Sequence, residues 1–543
     1  MSEFNVKPAR GSTPNPDHIF ISIKGDSKTS MTVTWRTSVD VTSGYALVRE
    51  DGKTDLVKYE AATGCFKSDI DESNMFWADM VNLKPGTKYF YTVGNENHRS
   101  EEYFFTTEEE NAESFKFVCV SDQQKGEPHD LPDYSYFTKV LKTVLAENPD
   151  IKFILTAGDN TDCGQHEVQW NGAFSGLKGV VEYTPIMMTL GNHDNRGFED
   201  YKNHIGRYYA EPAEFFCNQF RGSYPFNGPK GWETENYSFS YGNAHFNIIS
   251  VNEPERVNDW LIKDISATDR VWKFGSYHFP MYYAGPELSN DDGYPMMREG
   301  IEMLDVLFAG HEHNFARTFP IKNEQLFDKP SEGTIHYELG NSDCNPPGTM
   351  SSHKVWHAAH YPCEEQISTV AIVEVFKDKV ILTSKVVEDG RVIDQCIIDK
   401  KNDTIYPIAL APIFKRRTRT FYKGLGLGLS EREQIPEFKD GMWFSPLAVM
   451  FTAIGADVKK EEGKVTLGIY GKTATFTEGS NIAVTNDGEV TLPAPVYRGA
   501  NTQLYIPLDA IIPCFNMKWN YAERNNYLSI EHVTEAIPMT KQP

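Results

Sequence analysis

Five short blocks in this chain carry side chains of the kinds that bind metals or move protons. They are Ser121-Asp122-Gln123-Gln124, Gly158-Asp159-Asn160-Thr161-Asp162, Gly191-Asn192-His193-Asp194, Tyr277-His278-Phe279-Pro280 and Gly310-His311-Glu312-His313. Their donors are carboxylate, imidazole and amide oxygen. That mixture suits Fe, Mn or Zn and leaves exchangeable positions, which an all-thiolate site would not. A single Asp or His in such a block is more often structural. The last block is more informative, because His-x-His after an apolar strand points both imidazoles to one side. The set is stronger still: each block follows an apolar run, and three open on glycine, where the backbone turns sharply enough to bring separate strands to one point.

The positioning elements are short. Phe115–Ser121, Phe153–Ala157, Ile186–Leu190, Phe246–Val251, Trp272–Tyr277 and Val306–Ala309 read as buried strands, and Tyr134–Glu147 has apolar residues at helical spacing. This order predicts α/β layering around a central sheet over residues 114–400, with ligands at the carboxyl ends of the strands. Residues 17–108 alternate apolar and polar positions at period two, as in His18–Lys24, Ser30–Arg36 and Lys88–Val93. Trp35 sits mid-strand, and Leu83-Lys84-Pro85-Gly86 leads into the tyrosine-rich strand Lys88–Val93, which suits a tyrosine corner. Residues 1–16 form a tail. Residues 401–440, with Lys415-Arg416-Arg417 and the glycines of Gly424–Gly428, read as a flexible linker, since a nucleotide loop would need a preceding strand and a following acid. Residues 441–533 contain a repeat: the offset from Pro446 to Pro507 equals that from Val458 to Trp519, predicting two helix-plus-hairpin units in a small α+β domain.

Composition is that of a globular protein, 40% hydrophobic and 24% charged, with a net charge of -23. With that charge, nucleic acid and anionic membrane surfaces are not expected as partners of the molecule as a whole, whereas bound cations would reverse its sign locally for a small phosphorylated substrate. No apolar stretch reaches the roughly 18 residues a membrane span needs. Residues 1–15 do not read as a signal peptide; the chain is expected outside the cell or at its surface if a signal was removed, and otherwise in the cytoplasm. The eight cysteines form no C-x-x-C pair and read as reduced, partly buried thiols.

The order of the five blocks resembles the calcineurin-like metallophosphoesterases. His278-Phe279-Pro280-Met281-Tyr282 and Gly310-His311-Glu312-His313-Asn314-Phe315-Ala316-Arg317 look most like the purple acid phosphatases, in which a fibronectin type III domain precedes the catalytic one. The resemblance implies a multidomain chain: a fibronectin III-like sandwich, then an α/β metallophosphoesterase sandwich. The third domain is similar to the copper amine oxidase N-terminal domain, although it has no His cluster to bind copper. It further implies two metal ions, bridged by Asp159, with Asp122 and His313 on the first and Asn192, His278 and His311 on the second. Two such ions can generate hydroxide near neutral pH and clamp a phosphoryl group during in-line displacement. His193 would stabilise the transferring group or protonate the leaving oxygen, with Asp194 orienting its ring.

Two positions depart from the purple enzymes. Their tyrosinate ligand, three residues after the bridging aspartate, is here Asp162, so the charge-transfer colour should be absent. The wider superfamily reads Asp-x-His in the first block, where this chain has Gln124, a weaker amide ligand. The first ion is therefore expected to use Gln124 or Asp162, or a water. Plant-type relatives carry histidines where this chain has Glu287 and Leu288. His166, Trp170, Arg196, His204 and Tyr282 are pocket candidates, Arg196 and Tyr282 being the expected substrate contacts, and residues 198–236 are long enough for a lid. The expected activity is phosphomonoester hydrolysis. The alternatives are a phosphodiesterase acting on nucleotides or lipid headgroups, and a surface binding protein that keeps the cage without turnover.

Overall fold

The computed structural model describes residues 11–126, 131–197, 212–285, 290, 293–345, 351–362, 366–412, 418–427, 436–499, 502–522 and 527–533. His204, Glu287, Leu288, Lys415-Arg416-Arg417 and Cys363 lie outside these residues. The chain divides into two compact units, residues 1–414 and 415–543.

The first unit opens with a β-sandwich. One sheet is ordered Asp17–Ser22, Ser30–Ser38, Glu72–Val81, Ala62–Lys67, and the other Val57–Glu60, Tyr45–Glu50, Lys88–Gly94, Tyr103–Thr106. Trp35 fills the space between them, fully buried and stacked on Phe76 at 5.4 Å. The Tyr89 hydroxyl accepts the Lys84 N–H at 2.9 Å, closing the expected tyrosine corner. The sandwich is fixed to the module that follows. Ile21 N–H donates to Val181 O at 2.9 Å, and Tyr91 O–H to Glu182 O at 2.7 Å. Arg36 is buried in a short ion pair with Glu167 and forms a fork on Asp17 at 2.8 Å. An uncompensated charge left by losing either buried partner would cost about 3–5 kcal/mol.

The module that follows holds two seven-stranded sheets, the sandwich that the resemblance implied, where the order of strands and helices by itself predicted layering around one central sheet. The first runs Ile186–Met187, Ile151–Thr156, Ser114–Val120, Thr369–Phe376, Lys379–Val386, Val392–Asp399, Thr404–Tyr406. The second runs Tyr237–Tyr241, Ala244–Ile249, Trp272–Tyr277, Val306–Ala309, Ile335–Leu339, Phe315–Thr318, His357–Tyr361. Aromatic rings join them: Phe117 of the first sheet meets Phe246, Phe274 and Phe308 of the second edge-on at 5.3, 5.8 and 6.1 Å. Most strand positions are buried on both faces, so helices must cover the outside. Ser135–Glu147 does so with Phe137, Val140, Leu141 and Val144, one helical stripe. Pro254–Ala267, which starts on a proline that needs no N–H there, contacts both Ala244–Ile249 and Gly293–Ile301. The first sheet runs past the boundary expected at residue 400, because Thr404–Tyr406 pairs with Val392–Asp399.

In the second unit the repeat is visible as structure. Helix Leu447–Ala453 precedes the hairpin Asp457–Glu461/Lys464–Ile469, and helix Ile511–Phe515 precedes Met517–Ala522/Tyr527–His532. The strands before the two helices, Met442–Ser445 and Leu504–Pro507, pair with each other. Part of the expected linker is ordered. Arg419–Tyr422 pairs in parallel with Tyr527–His532, and its turn at Lys423 (φ 49°) and Gly424 (φ 79°) leads back into Leu425–Gly426. Two successive positive φ values make a tight hairpin, so Gly424 serves a turn and not flexibility.

Candidate metal centre

Three parallel strands of the first sheet and two of the second end at one place. Ser114–Val120, Ile151–Thr156 and Ile186–Met187 deliver Asp122, Asp159 and Asn192 from the first sheet. Trp272–Tyr277 and Val306–Ala309 deliver His278, His311 and His313 from the second. Oxygen donors therefore come from one sheet and imidazoles from the other. Asp159, His278 and His311 already bring three ligand atoms within 4.8 Å of one another.

The backbone is bent to achieve this. Asp122, Asp159, His311 and His313 all have positive φ, at 55°, 54°, 77° and 57°. Such residues cost up to roughly 1–3 kcal/mol each and persist only where their surroundings over-determine them. The glycines beside them allow close approach: a Cβ at Gly310 would overlap Ser121 Oγ and Asp122 Oδ2, and one at Gly158 would lie 2.6 Å from His278 Nδ1.

Hydrogen bonds set the orientation of each donor. His278 Nδ1 donates to Ala157 O at 2.8 Å, which turns Nε2 toward Asn192 Oδ1 at 3.0 Å and Asp159 Oδ2 at 3.1 Å. A ring nitrogen facing two oxygens requires a positive charge between them. Burial disfavours a charged ring, yet Asp159 and Asp122 outweigh it and push His278 up to about 9. Burial likewise opposes ionised Asp159, and His193, His278 and His311 overcome it and hold its carboxyl well below the usual range. His311 is driven far down by burial and by the charge of His278. A bound cation would take the place of the proton on Nε2. At the other end His313 Nε2 lies 3.6 Å from Asp122 Oδ1 and 3.3 Å from the Gln124 amide nitrogen, while Gln124 Oε1 is buried and makes no hydrogen bond among the described residues. Exchanging the amide atoms would turn that oxygen toward the cage. The donor set fits two cations.

The remaining site residues are arranged differently from the sequence expectation. His193 is oriented by Asp162, whose Oδ1 takes His193 Nδ1 at 2.8 Å and Arg196 Nη2 at 2.8 Å. Burial raises the Asp162 carboxyl, but His193 and Arg196 outweigh this and lower it. Asp162 thus faces the histidine and not the cage. Asp194, expected behind His193, instead accepts Gly191 N–H at 2.9 Å, Thr161 N–H at 2.8 Å and Asn160 Nδ2 at 2.8 Å, tying two ligand loops together. Burial and the Asp159 charge push it up to about 6. Arg196 is buried against Asp162 and its backbone oxygen, which commits its guanidinium to holding this loop. Tyr282 is packed against Tyr294, His336 and Trp356; its neighbour Tyr283 lies 6.4 Å from His311, ring centroid to ring centroid. His166 pairs with Asp69 of the sandwich at 2.8 Å, and Trp170 belongs to the core.

Sequence reasoning missed Asn345. Its Nδ2 donates to Asp122 O at 2.7 Å and to Gln124 O at 3.1 Å. The sequence signals only its partner Asn341, whose Oδ1 accepts the Asn345 N–H at 2.9 Å: strand Ile335–Leu339 runs into Gly340-Asn341, a Gly-Asn pair like Gly191-Asn192.

Residues 115–315 match the family described as calcineurin-like phosphoesterase. The match lies within the middle module. On either side of this phosphoesterase module, residues 16–107 match the purple acid phosphatase N-terminal domain and residues 430–530 the copper amine oxidase N-terminal domain. Purple acid phosphatase 15 of Arabidopsis thaliana is 24% identical over 284 residues, 46% of this chain and 50% of the relative. Probable inactive purple acid phosphatase 27 of the same plant is 23% identical over 318 residues, 51% of each. The chain thus spans about half the length of these two relatives. Acid phosphatase type 7 of Homo sapiens is 23% identical over 377 residues, 61% of this chain and 78% of that protein. The structure of a purple acid phosphatase from yellow lupin seeds shares the phosphoesterase fold, with a TM-score of 0.56 at 18% identity over 71% of this chain and 74% of that one. The family implies a binuclear metal centre. No described helix is long and apolar enough to cross a membrane.

Proposed function

We propose that the chain hydrolyses small phosphomonoesters with two ions of the Fe, Mn or Zn type. Asp122, Asp159, His313 and Gln124 would hold the first, and Asp159, Asn192, His278 and His311 the second. The observation that carries the reading is the convergence of oxygen donors from one sheet with imidazoles from the other, with His193 held beside them. When bound, such ions activate water and offset charge on the phosphoryl oxygens.

The protein groups do the rest. Asp162 Oδ1 accepts a hydrogen bond from His193 Nδ1, so Nε2 is turned toward the cage, 3.7 Å from Asp159 Oδ2. With Nδ1 bonded to that carboxylate, Nε2 is the ring nitrogen left to meet a phosphoryl oxygen or the leaving oxygen. The Asp159 Oδ1 acceptor for the His193 N–H, at 2.9 Å, ties this histidine to the bridging position. Purple colour requires a tyrosinate, and Asp162 stands in its place.

The test is hydrolysis of p-nitrophenyl phosphate against bis-p-nitrophenyl phosphate, repeated with His193→Ala. The monoester should be cleaved faster, and His193→Ala should lower kcat about 100- to 10,000-fold with metal content unchanged. Faster diester cleavage would replace the reading with a phosphodiesterase. Unchanged turnover in the variant would remove His193 from the reaction. Asp162→Asn makes a separate prediction: kcat falls about 10- to 100-fold while both ions stay. Loss of an ion instead would make Asp162 a ligand. A binding protein without turnover is the second reading, motivated by relatives named as probable inactive phosphatases; it predicts bound metal and no hydrolysis of either ester.

A further inference from the structure

The first ligand block is clamped from outside by a segment that belongs to none of the five. Asn341–Asn345 follows strand Ile335–Leu339 and runs along residues 121–125. Ser342 N–H donates to Ser121 O at 2.9 Å, and Ser121 N–H to Ser342 Oγ at 3.1 Å. Lys125 Nζ reaches Asp343 O at 3.0 Å and Asp343 Oδ2 at 2.8 Å. Asn345 sits between these contacts. Its own N–H is held by Asn341 Oδ1 at 2.9 Å, and its Nδ2 donates to both Asp122 O and Gln124 O.

Those two carbonyls belong to the two block residues that face the first ion position. Asp122 is also in the left-handed region, at φ 55°, with its N–H on Gly158 O at 3.2 Å. The strained residue is therefore pinned on both sides, by Gly158 before it and by Asn345 after it. Without the Asn345 donor two carbonyls lose their partner, and the φ of Asp122 loses half of what enforces it. The second ion position meets this backbone through His311, whose N–H donates to the Asp122 carboxylate oxygens at 2.9 and 3.0 Å. His278 is held on Ala157 O, and Asn192 follows Gly191, whose N–H is held by Asp194.

We infer that Asn345 is a positioning residue for the first metal ion, acting as a hydrogen-bond donor that holds the backbone carrying Asp122 and Gln124. The inference rests on the two-ion reading above. The first site is then set by a side chain more than 200 residues distant along the chain.

The experiment is a Mn2+ and Zn2+ titration of the whole chain, as wild type, Asn345→Ala and Asn345→Asp, with bound metal counted after each step. The isosteric aspartate separates the two roles an asparagine could have. As a carboxylate it cannot donate, so Asn345→Asp should weaken one ion about 10- to 100-fold, as Asn345→Ala does, and affect the other less. Saturating metal should restore kcat in both variants. If Asn345 were itself a ligand, the aspartate would hold or tighten that ion, and the inference would be overturned. It is also overturned if both variants bind two ions like the wild type. An unchanged thermal unfolding curve certifies that the variants are folded. A wild type that takes up no ion ends the two-ion reading and this inference together; a wild type with two, matched by its variants, ends this inference only.

Discussion

Asp159→Asn should abolish turnover, lowering kcat/KM at least about 10,000-fold, which corresponds to several kcal/mol of transition-state stabilisation. The substitution keeps the shape of the side chain and removes one charge. Asp159 is 1% exposed, and its Oδ2 faces His278 Nε2 at 3.1 Å and His193 Nε2 at 3.7 Å. Its Oδ1 accepts the His193 N–H. One carboxylate thus serves both proposed ion positions and the catalytic histidine. An amide cannot bridge two cations, and its NH2 group would point a donor at a ring nitrogen that should bind metal. Both ions should be lost, not one. Metal analysis alongside kinetics checks this: a variant that keeps both ions and at least a hundredth of its activity contradicts the bridging role.

The second large effect needs no ligand to change. Gly191→Ala adds a single methyl group before Asn192, and its Cβ would overlap the backbone nitrogen and Oδ1 of Asp159. Backbone atoms of a buried residue in the left-handed region cannot retreat, so the loops carrying Asp159 and Asn192 must part. Activity and metal should then fall together, to a level comparable with Asp159→Asn. Gly126→Ala is the control near the site, because its Cβ would meet Asp162 Oδ2 at 3.6 Å, an ordinary contact. It should leave kcat within about twofold. Equal behaviour of the two alanines would show that close packing at Gly191 does not govern the site.

The chemistry was more legible in the chain than the architecture. Ligand blocks are local: an apolar run, a glycine and a donor appear within a few residues, and the strands that end on Asp122, Asp159, His278 and His311 form where that pattern puts them. Sheet partition is not local. Nothing in Phe117 or Phe274 says that their strands lie in different sheets, because both are buried on two faces and read as the same apolar run. The antiparallel strands from Thr369 to Tyr406 complete the first sheet through a return of the chain that no periodicity signals. Side-chain roles at equal sequence distance were also ambiguous. Asp194 adjoins His193 in sequence, yet Asp162, 31 residues earlier, holds the ring. The turn at Asn192–Asn195 directs Asp194 back under its own loop, where three N–H donors need an acceptor. Arg196 and Tyr282 were chosen for type and proximity; the structure puts the Arg196 guanidinium on Asp162 and packs Tyr282 among Tyr294, His336 and Trp356. Gly424 was misread for the opposite reason, since a glycine series shows conformational freedom but not the hairpin that uses it.

The central claim is that donors from two sheets hold two ions around Asp159. X-ray diffraction from crystals of the chain loaded with Zn2+, recorded on both sides of the zinc absorption edge, tests it most directly. Two anomalous peaks are expected, both touching Asp159, one also beside Asp122, Gln124 and His313 and the other beside Asn192, His278 and His311. A single peak, or two that leave Asp159 uncontacted, would contradict it.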